Sequence, residues 1–465
     1  MSWINNEQQE GKKNYPFARW MSWLFLMTSM VLLIYTYYRS EIAFLGLREG
    51  YFKYYLIALT GILFWGVVLR LREEIQANIV TVVSSLVVGL YLVEGGLTFL
   101  GIGQQHYRAE AKEKAWITAA AELGVEYDER TKLEVIEDLI AEGVDAVPTA
   151  QGWSFIRIIG TNQEDIGHLF PLGGVSNKTA VHHNETGLWA IYLNDRHGFN
   201  NPDSEWDATK LEWLLVGDSF TEGEAVQPGE DIAGQLRAIT HQSAITLGKA
   251  GNGPLLEYAG LVEYGKTLAP AKVLWVYWEG NDLIDLSQEK QNLLLMQYME
   301  EGFSQNLISR QKEIDAMLLQ AQLQAREKML VKKRWMRLGA IRNSLFFDRI
   351  NYDYDDVDVD FDYSLFAKIL TKAKAGVELW GGKLYFVYLP QYKRYKKVVL
   401  NDKFRKKSEV IDLVKGLDIP VIDIHQEIFA NHSDPLSLFP LRSDGHYTAD
   451  GYREVTKAIV ENIRD

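Results

Sequence analysis

The stretch Leu211-Glu212-Trp213-Leu214-Leu215-Val216-Gly217-Asp218-Ser219-Phe220 joins an apolar run of strand length to Gly-Asp-Ser. Such a run reads as a buried strand that delivers a hydroxyl to the edge of a sheet, one way to present a nucleophile. The same residues also fit a strand followed by a helix N-cap, because Ser and Asp both cap helices. The rest of the chain has to decide whether Ser219 is a nucleophile or a cap.

Beyond this stretch the pattern alternates. Strand candidates cover residues 211–216, 244–247, 272–278, 383–389 and 419–424, separated by helix-compatible segments. Apolar strands alternating with helices imply a parallel sheet covered on both faces. Such sheets bind ligands at the carboxyl ends of their strands. Residues 285–345 interrupt the alternation, being rich in Gln, Leu, Lys and Glu with no Pro. They are predicted as a helical insertion that forms a lid, a partner surface or a contact with a membrane. Lys332-Lys333-Arg334 and Arg337 within it would meet lipid head groups or make a solvated helix face. Residues 353–362 alternate acids with Tyr, Val and Phe but lack the Gly and final Glu of a calcium loop, so a linker or edge segment is expected.

Upstream, residues 20–38 carry no charge until Arg39, and residues 54–69 and 79–102 are also apolar, the last with Glu94 beside Gly95-Gly96. Crossing a bilayer as a helix takes about 20 such residues, so residues 1–103 are predicted as an anchor of three transmembrane helices. Lys and Arg divide almost evenly between alternating sides and give no orientation by charge bias. With Lys12, Lys13 and Arg19 inside, three spans would export everything after residue 103 and make the soluble part extracytoplasmic (periplasmic). Glu94 is expected near the outer end of its span, paired or snorkelling. Residues 104–210 are predicted as an accessory region, with helices at 111–124 and 129–143 and strand-like pieces at 153–159 and 188–192. Its His182-His183 and Asp195-Arg196-His197 lack helical or finger-like ligand spacing, so hydrogen-bonded histidines are expected and no metal.

With 465 residues the chain suggests about three units. Zero Cys excludes disulfides, thiol catalysis and Cys-ligated metal sites. A formal net charge of −13 argues against nonspecific nucleic-acid binding.

Four features fall at strand ends: Gly217-Asp218-Ser219, the block Gly248-Lys249-Ala250-Gly251-Asn252-Gly253, Gly280-Asn281-Asp282 and the late Asp444-Gly445-His446. Together they supply what acyl transfer through a serine requires. Ser219 would be the nucleophile, His446 the general base and Asp444 the group that fixes the imidazole tautomer. The Ser219 and Gly251 backbone N–H groups and the Asn281 amide would stabilise the oxyanion, each well-placed donor contributing roughly 3–4 kcal/mol. No cofactor is needed for this chemistry. Past the fourth strand, Lys393-Arg394, Lys396-Lys397, Lys403 and Arg405-Lys406-Lys407 form a basic cluster interleaved with Tyr392, Tyr395 and Phe404. It would border the cleft and attract an anionic polymer, or form a solvated helix face.

On Gly217-Asp218-Ser219, the glycine block, Gly280-Asn281-Asp282 and the final acid and histidine, residues 211–465 resemble the SGNH (GDSL-like) hydrolase superfamily. The resemblance implies an α/β fold, a three-layer α/β/α sandwich with a five-stranded parallel sheet (the flavodoxin-like SGNH fold), with Ser219, Gly251, Asn281, Asp444 and His446 in the roles above. The family usually spaces its last pair Asp-x-x-His, whereas only Gly445 intervenes here. Asp-x-His and the Phe220-Thr221-Glu222-Gly223-Glu224 continuation look like a bacterial branch that modifies exopolysaccharides. The expected function is therefore a membrane-anchored serine esterase or O-acyltransferase acting on an acylated extracytoplasmic carbohydrate. Its expected partners are the lipid bilayer, that carbohydrate and other envelope polysaccharide proteins. The competing expectation is a noncatalytic carbohydrate-binding or assembly component of the same kind of system. Hydrolysis and transfer share one acyl-enzyme and stay open at this level.

Overall fold

The computed structural model describes residues 15–38, 40, 48–99, 107–156, 159–160, 169–330, 361–396 and 406–463. These residues divide into two compact units, one ending at Tyr107 and one beginning at Arg108. Lys12, Lys13, Lys332 to Arg334, Arg337, Lys397, Lys403, Phe404, Arg405 and residues 353–360 lie outside the described residues.

The first unit holds helices α1 (Pro16–Tyr37), α2 (Arg48–Val68) and α3 (Glu73–Phe99). Two stretches, Pro16–Tyr37 and Glu73–Leu97, are long and apolar enough to cross a membrane, which corrects the expectation of three. In α2 the apolar part is the 17-residue stretch Phe52–Val68, roughly 26 Å at 1.5 Å per residue against a hydrocarbon core of about 30 Å. The helices meet through buried Leu26, Trp65, Val68 and Val80, with the Phe25 and Trp65 rings stacked at 4.6 Å. Much of their remaining apolar surface, including Trp20, Val31, Leu63 and Leu92, is exposed. Glu94 is buried.

The second unit is built on a five-stranded, all-parallel sheet of β4 (Trp213–Gly217), β5 (Ala244–Thr246), β6 (Lys272–Trp278), β7 (Lys383–Leu389) and β8 (Val421–Asp423), in the order β5-β4-β6-β7-β8. Side chains alternate between its faces, as strand geometry demands. Leu214, Val216, Val273, Trp275 and Phe386 enter one apolar core with residues of helices Pro254–Gly260, Tyr363–Leu379 and Lys406–Gly416. Trp213, Leu215, Leu274, Val276 and Val387 enter a second with helices Ile232–Thr240 and Ala449–Asn462. Helices on both faces of one parallel sheet make the expected three layers.

The segment before β4 carries a small sheet, in which β1 (Ala146–Pro148) pairs in parallel with β2 (Thr179–Val181), and β2 pairs antiparallel with β3 (Ile191–Leu193). Where a strand was predicted at 153–159, the chain forms a 3-10 turn at Gly152–Phe155. That turn sets Trp153 and Ile156, three residues apart, against the same core.

The predicted insertion is helical in its described part, with helices Asp282–Glu289, Leu293–Met296 and Gln311–Leu330. It is not a separate lid there. Leu294, Leu295, Leu307, Ile314 and Leu318 are buried in the first core, Asp315 accepts from Ser176 N (2.9 Å) and Oγ (2.6 Å), and Gln305 accepts from Phe170 N at 2.8 Å.

Candidate active site

Gly217 ends β4 and a one-turn helix, Ser219–Glu222, begins at once. Asp218 is the cap: its Oδ1 accepts from Phe220 N at 2.9 Å. Ser219, left as the first helical residue, has its hydroxyl free for another partner. That partner is His446, whose Nε2 lies 2.8 Å from Ser219 Oγ. The ring packs on Phe220, centroids 4.6 Å apart, and the next residue, Tyr447, donates its hydroxyl to Pro390 O at 2.6 Å. Thr448 caps the final helix by accepting from Gly451 N at 3.1 Å. The imidazole is therefore fixed at the root of a helix and against an aromatic wall.

The other ring nitrogen corrects the expectation for the acid. His446 Nδ1 lies 3.1 Å from Glu185 Oε2, and the same oxygen accepts from His446 N at 2.8 Å. Glu185 is buried, in the connection between β2 and β3, whereas Asp444 is exposed. A Cβ at Gly445 would stand 2.5 Å from Glu185 Oε2, so a side chain there would displace the carboxylate. The residue before His446 stays bare because Glu185 fills that space.

Glu185 is itself held. Asn184 donates to Asp128 O (2.9 Å), its Oδ1 accepts from Gly187 N (2.8 Å), and Tyr127 donates to Asn184 O (2.9 Å). A buried polar network ties the same segment to the loops after β4 and β5. Glu222 accepts from Tyr192 Oη (2.6 Å) and Ala250 N (2.7 Å) and pairs with buried Lys249, while His182 Nε2 lies 3.5 Å from it. Burial lowers His182 to a pKa of about 4, Glu222 opposing. Its two ring nitrogens are buried without a hydrogen-bond partner among the described residues, and the ring stacks on Tyr192 with centroids 4.5 Å apart. Asp195 likewise works as a loop staple, accepting from the N–H groups of His197 and Phe199 (2.8 and 3.0 Å) and from Trp206 (2.7 Å).

The oxyanion candidates sit on neighbouring strands. Gly251 follows β5, Ser219 follows β4 and Asn281 follows β6, and these are adjacent in the sheet. Gly251 has φ +77°, a left-handed conformation that favours glycine, and a Cβ there would meet Trp153 Cβ at 2.9 Å. The glycine block is braced by Glu289, which accepts from Gly253 N (2.7 Å) and Leu255 N (2.8 Å). Asn281 Oδ1 is buried without a hydrogen-bond partner among the described residues.

Of the cleft-lining expectations, Tyr392 and Arg394 are engaged inside the fold. Tyr392 is buried against Phe439 and donates to Arg442 O at 3.0 Å. Arg394 forks onto the Glu279 carboxylate, Nε to Oε1 2.9 Å, and Glu279 also accepts from Gln391 N at 2.8 Å. The pair fixes the loop that carries Asn281. Lys393 is partly exposed.

Electrostatics concentrate at His446. Burial favours its neutral form, but the Glu185, Glu224 and Asp218 carboxylates outweigh burial and raise its pKa to about 9. Beneath the site, Asp218, Glu257, Asp282, Asp285 and Glu289 are all buried. Burial pushes each of them up, Asp218 and Glu289 to about 7.

Glu185 and Glu224 were not marked by sequence pattern. Their one signal is the density of charged and His residues in His182-His183-Asn184-Glu185 and in Glu222-Gly223-Glu224.

No family model matches the chain, and no curated protein does. It is similar to solved structures of a member of the lipolytic protein G-D-S-L family from Veillonella parvula (12% identity, 54% of this chain and 97% of that one, TM-score 0.30). It is likewise similar to an acetyl xylan esterase (13%, 55% and 100%, TM-score 0.32). A third is a lipase/acylhydrolase from Enterococcus faecalis (13%, 54% and 95%, TM-score 0.31). At these identities and scores the residue roles rest on the geometry above. The chain is similar to the SGNH (GDSL-like) hydrolases, and the similarity reaches about half its length.

Proposed function

We propose that the chain is an SGNH-type serine enzyme that cleaves or transfers esters through an acyl-Ser219 intermediate. The observation that carries this reading is the continuous line Ser219 Oγ, His446 Nε2, His446 Nδ1, Glu185 Oε2, with contacts of 2.8 and 3.1 Å. Neutral His446 takes the Ser219 proton as Oγ attacks the acyl carbon. Glu185 holds the Nδ1–H tautomer and stabilises the imidazolium. The oxyanion would face the Ser219 and Gly251 N–H groups and the Asn281 amide. His446 then protonates the departing alkoxide, and water or a hydroxyl repeats the sequence on the acyl-enzyme.

A noncatalytic scaffold of the same fold has no need of a hydroxyl within hydrogen-bond reach of an oriented imidazole, which favours catalysis over binding alone. The acyl-transfer option, an acylated carbohydrate as substrate and envelope polysaccharide proteins as partners belong to the same proposal, supported by the likeness of residues 217–224 and 444–446 to exopolysaccharide-modifying enzymes. We also place the chain at a membrane through the exposed apolar faces of α1 and α3. An extracytoplasmic active site is part of the same proposal, and a reporter fused after residue 103 reads the side directly. Ser219→Ala should lower turnover of a small acetyl ester by roughly 10⁴-fold or more with the fold intact. Unchanged turnover in a pure sample overturns the assignment.

A further inference from the structure

Besides Ser219, the Nε2 edge of His446 faces a second acid. Glu224 Oε2 lies 3.7 Å from His446 Nε2. Its backbone N donates to Ser219 O at 3.0 Å, so the carboxylate is tied to the nucleophile's own turn. The side chain is 4% exposed, and its other oxygen pairs with His183 Nδ1, on a ring whose side chain is 46% exposed. Burial disfavours the charged form, but His183, His446 and His182 hold Glu224 well below the usual carboxylate range. An ionised acceptor therefore stands beside the atom that must receive the second nucleophile's proton.

Resting on the acyl-Ser219 reading, we propose that Glu224 and His446 Nε2 form a two-acceptor cradle for the deacylating water, so that the enzyme is built for hydrolysis in preference to transfer. Water has two O–H donors and can satisfy both acceptors at once, whereas an alcohol has one. Two acceptors 3.7 Å apart can share one oxygen at ordinary hydrogen-bond distances of about 2.8 Å. In the step, the water oxygen bonds to the acyl carbon while one proton passes to His446 Nε2. The other O–H stays on Glu224 and orients the lone pair. Collapse of the tetrahedral intermediate breaks the bond between Ser219 Oγ and the acyl carbon, and Oγ recovers the proton from His446. The products are the carboxylic acid and free Ser219. An alcohol in the same place leaves Glu224 Oε2 without a donor, which disfavours transfer.

The test is the partition of the acyl-enzyme between water and methanol, read as the ratio of methyl acetate to acetate formed from p-nitrophenyl acetate at fixed methanol. This ratio depends on deacylation alone. Glu224→Leu should raise it about tenfold, the loss expected when one hydrogen bond to a charged group disappears, and Glu224→Gln, which keeps one acceptor oxygen, should raise it less. A fluorophosphonate probe on Ser219 shows that each variant keeps a folded site. An unchanged ratio in labelled Glu224→Gln and Glu224→Leu overturns the cradle. If the Glu224→Leu variant does not label, Glu224→Gln decides alone, an unchanged ratio again overturning the proposal. Absence of labelling in the unsubstituted protein would instead sink the acyl-serine reading itself.

Discussion

Two parts of the second unit build one site by different means. Residues 211–465 contribute Ser219, the glycine block, Asn281 and His446, each at the end of a strand or the root of a helix, where regular geometry aims it. Residues 144–210 have three strands of three residues each. Yet they supply Glu185, His183 and Tyr192, held by side-chain hydrogen bonds to His446, Glu224 and Glu222, and His182, stacked on Tyr192. A regular scaffold places groups by repeating backbone bonds. An irregular one needs a specific polar partner for each group, since an unpaired buried polar group costs about 1–3 kcal/mol. The region expected to be accessory thus contributes the carboxylate that meets His446.

The largest effect separates the two candidate acids. Glu185→Gln should lower kcat for an acetyl ester by roughly 10³ to 10⁴, as loss of the tautomer-fixing acid does, while Asp444→Asn changes it less than about threefold. The reverse outcome would return the acid to the 211–465 part and make residues 144–210 a true accessory region.

The next effect is on pH. His446 must be neutral to accept the Ser219 proton, and its pKa is raised to about 9. kcat/KM should therefore climb with pH, about tenfold per unit well below 9, and level off above it. Glu185→Gln removes the first of the carboxylates responsible and should move the limb to lower pH. A wild-type limb near 6.5 would mean the carboxylates do not act on the ring.

Gly445→Ala tests the contact between the two parts through backbone space alone. Its Cβ would fall 2.5 Å from Glu185 Oε2, and we expect a loss in kcat of roughly tenfold or more, since displacements of about 1 Å can cost up to 10²-fold. An unaltered kcat would show that the loop yields freely.

The smallest effect is on stability. Asp218 and Glu289, raised to about 7, bind protons in the folded state at pH values where the unfolded chain has released them. Their contribution is full below about pH 4 and fades as pH rises through about 7. His446 acts in the same sense, its contribution fading between about 6.5 and 9. Thermal melts should fall by several degrees from pH 5 to pH 8, while activity rises. Glu257→Gln, which replaces a buried acid by a neutral amide, should flatten that slope; a melt unchanged with pH would mean the carboxyls are not protonated in the fold.

The sheet was legible because a run of apolar residues of strand length is a local pattern: the segments expected at 272–278 and 383–389 are the seven-residue strands Lys272–Trp278 and Lys383–Leu389 themselves. After Gly217 the two readings offered for Ser219 are resolved by Asp218, which takes the cap itself. The turn at 153–156 was misread because Trp153, Phe155 and Ile156 fit alternation as well as a single helical turn. The middle helix α2 was counted as a span because residues 54–69 form an apolar run, although the apolar part of the helix, Phe52–Val68, is shorter than a bilayer crossing needs.

By itself, the sequence determined that a parallel α/β sheet would carry Gly-Asp-Ser, a glycine block, Gly-Asn-Asp and a late His at strand ends, because period and turn chemistry are properties of neighbouring residues. Only the tertiary structure decided which acid serves His446. Asp444 is close in sequence but exposed, while Glu185 reaches the ring through the turn between β2 and β3 and the space left by Gly445. Proximity along the chain carries no information about which carboxylate a buried ring meets; that is set by the packing of one segment on another.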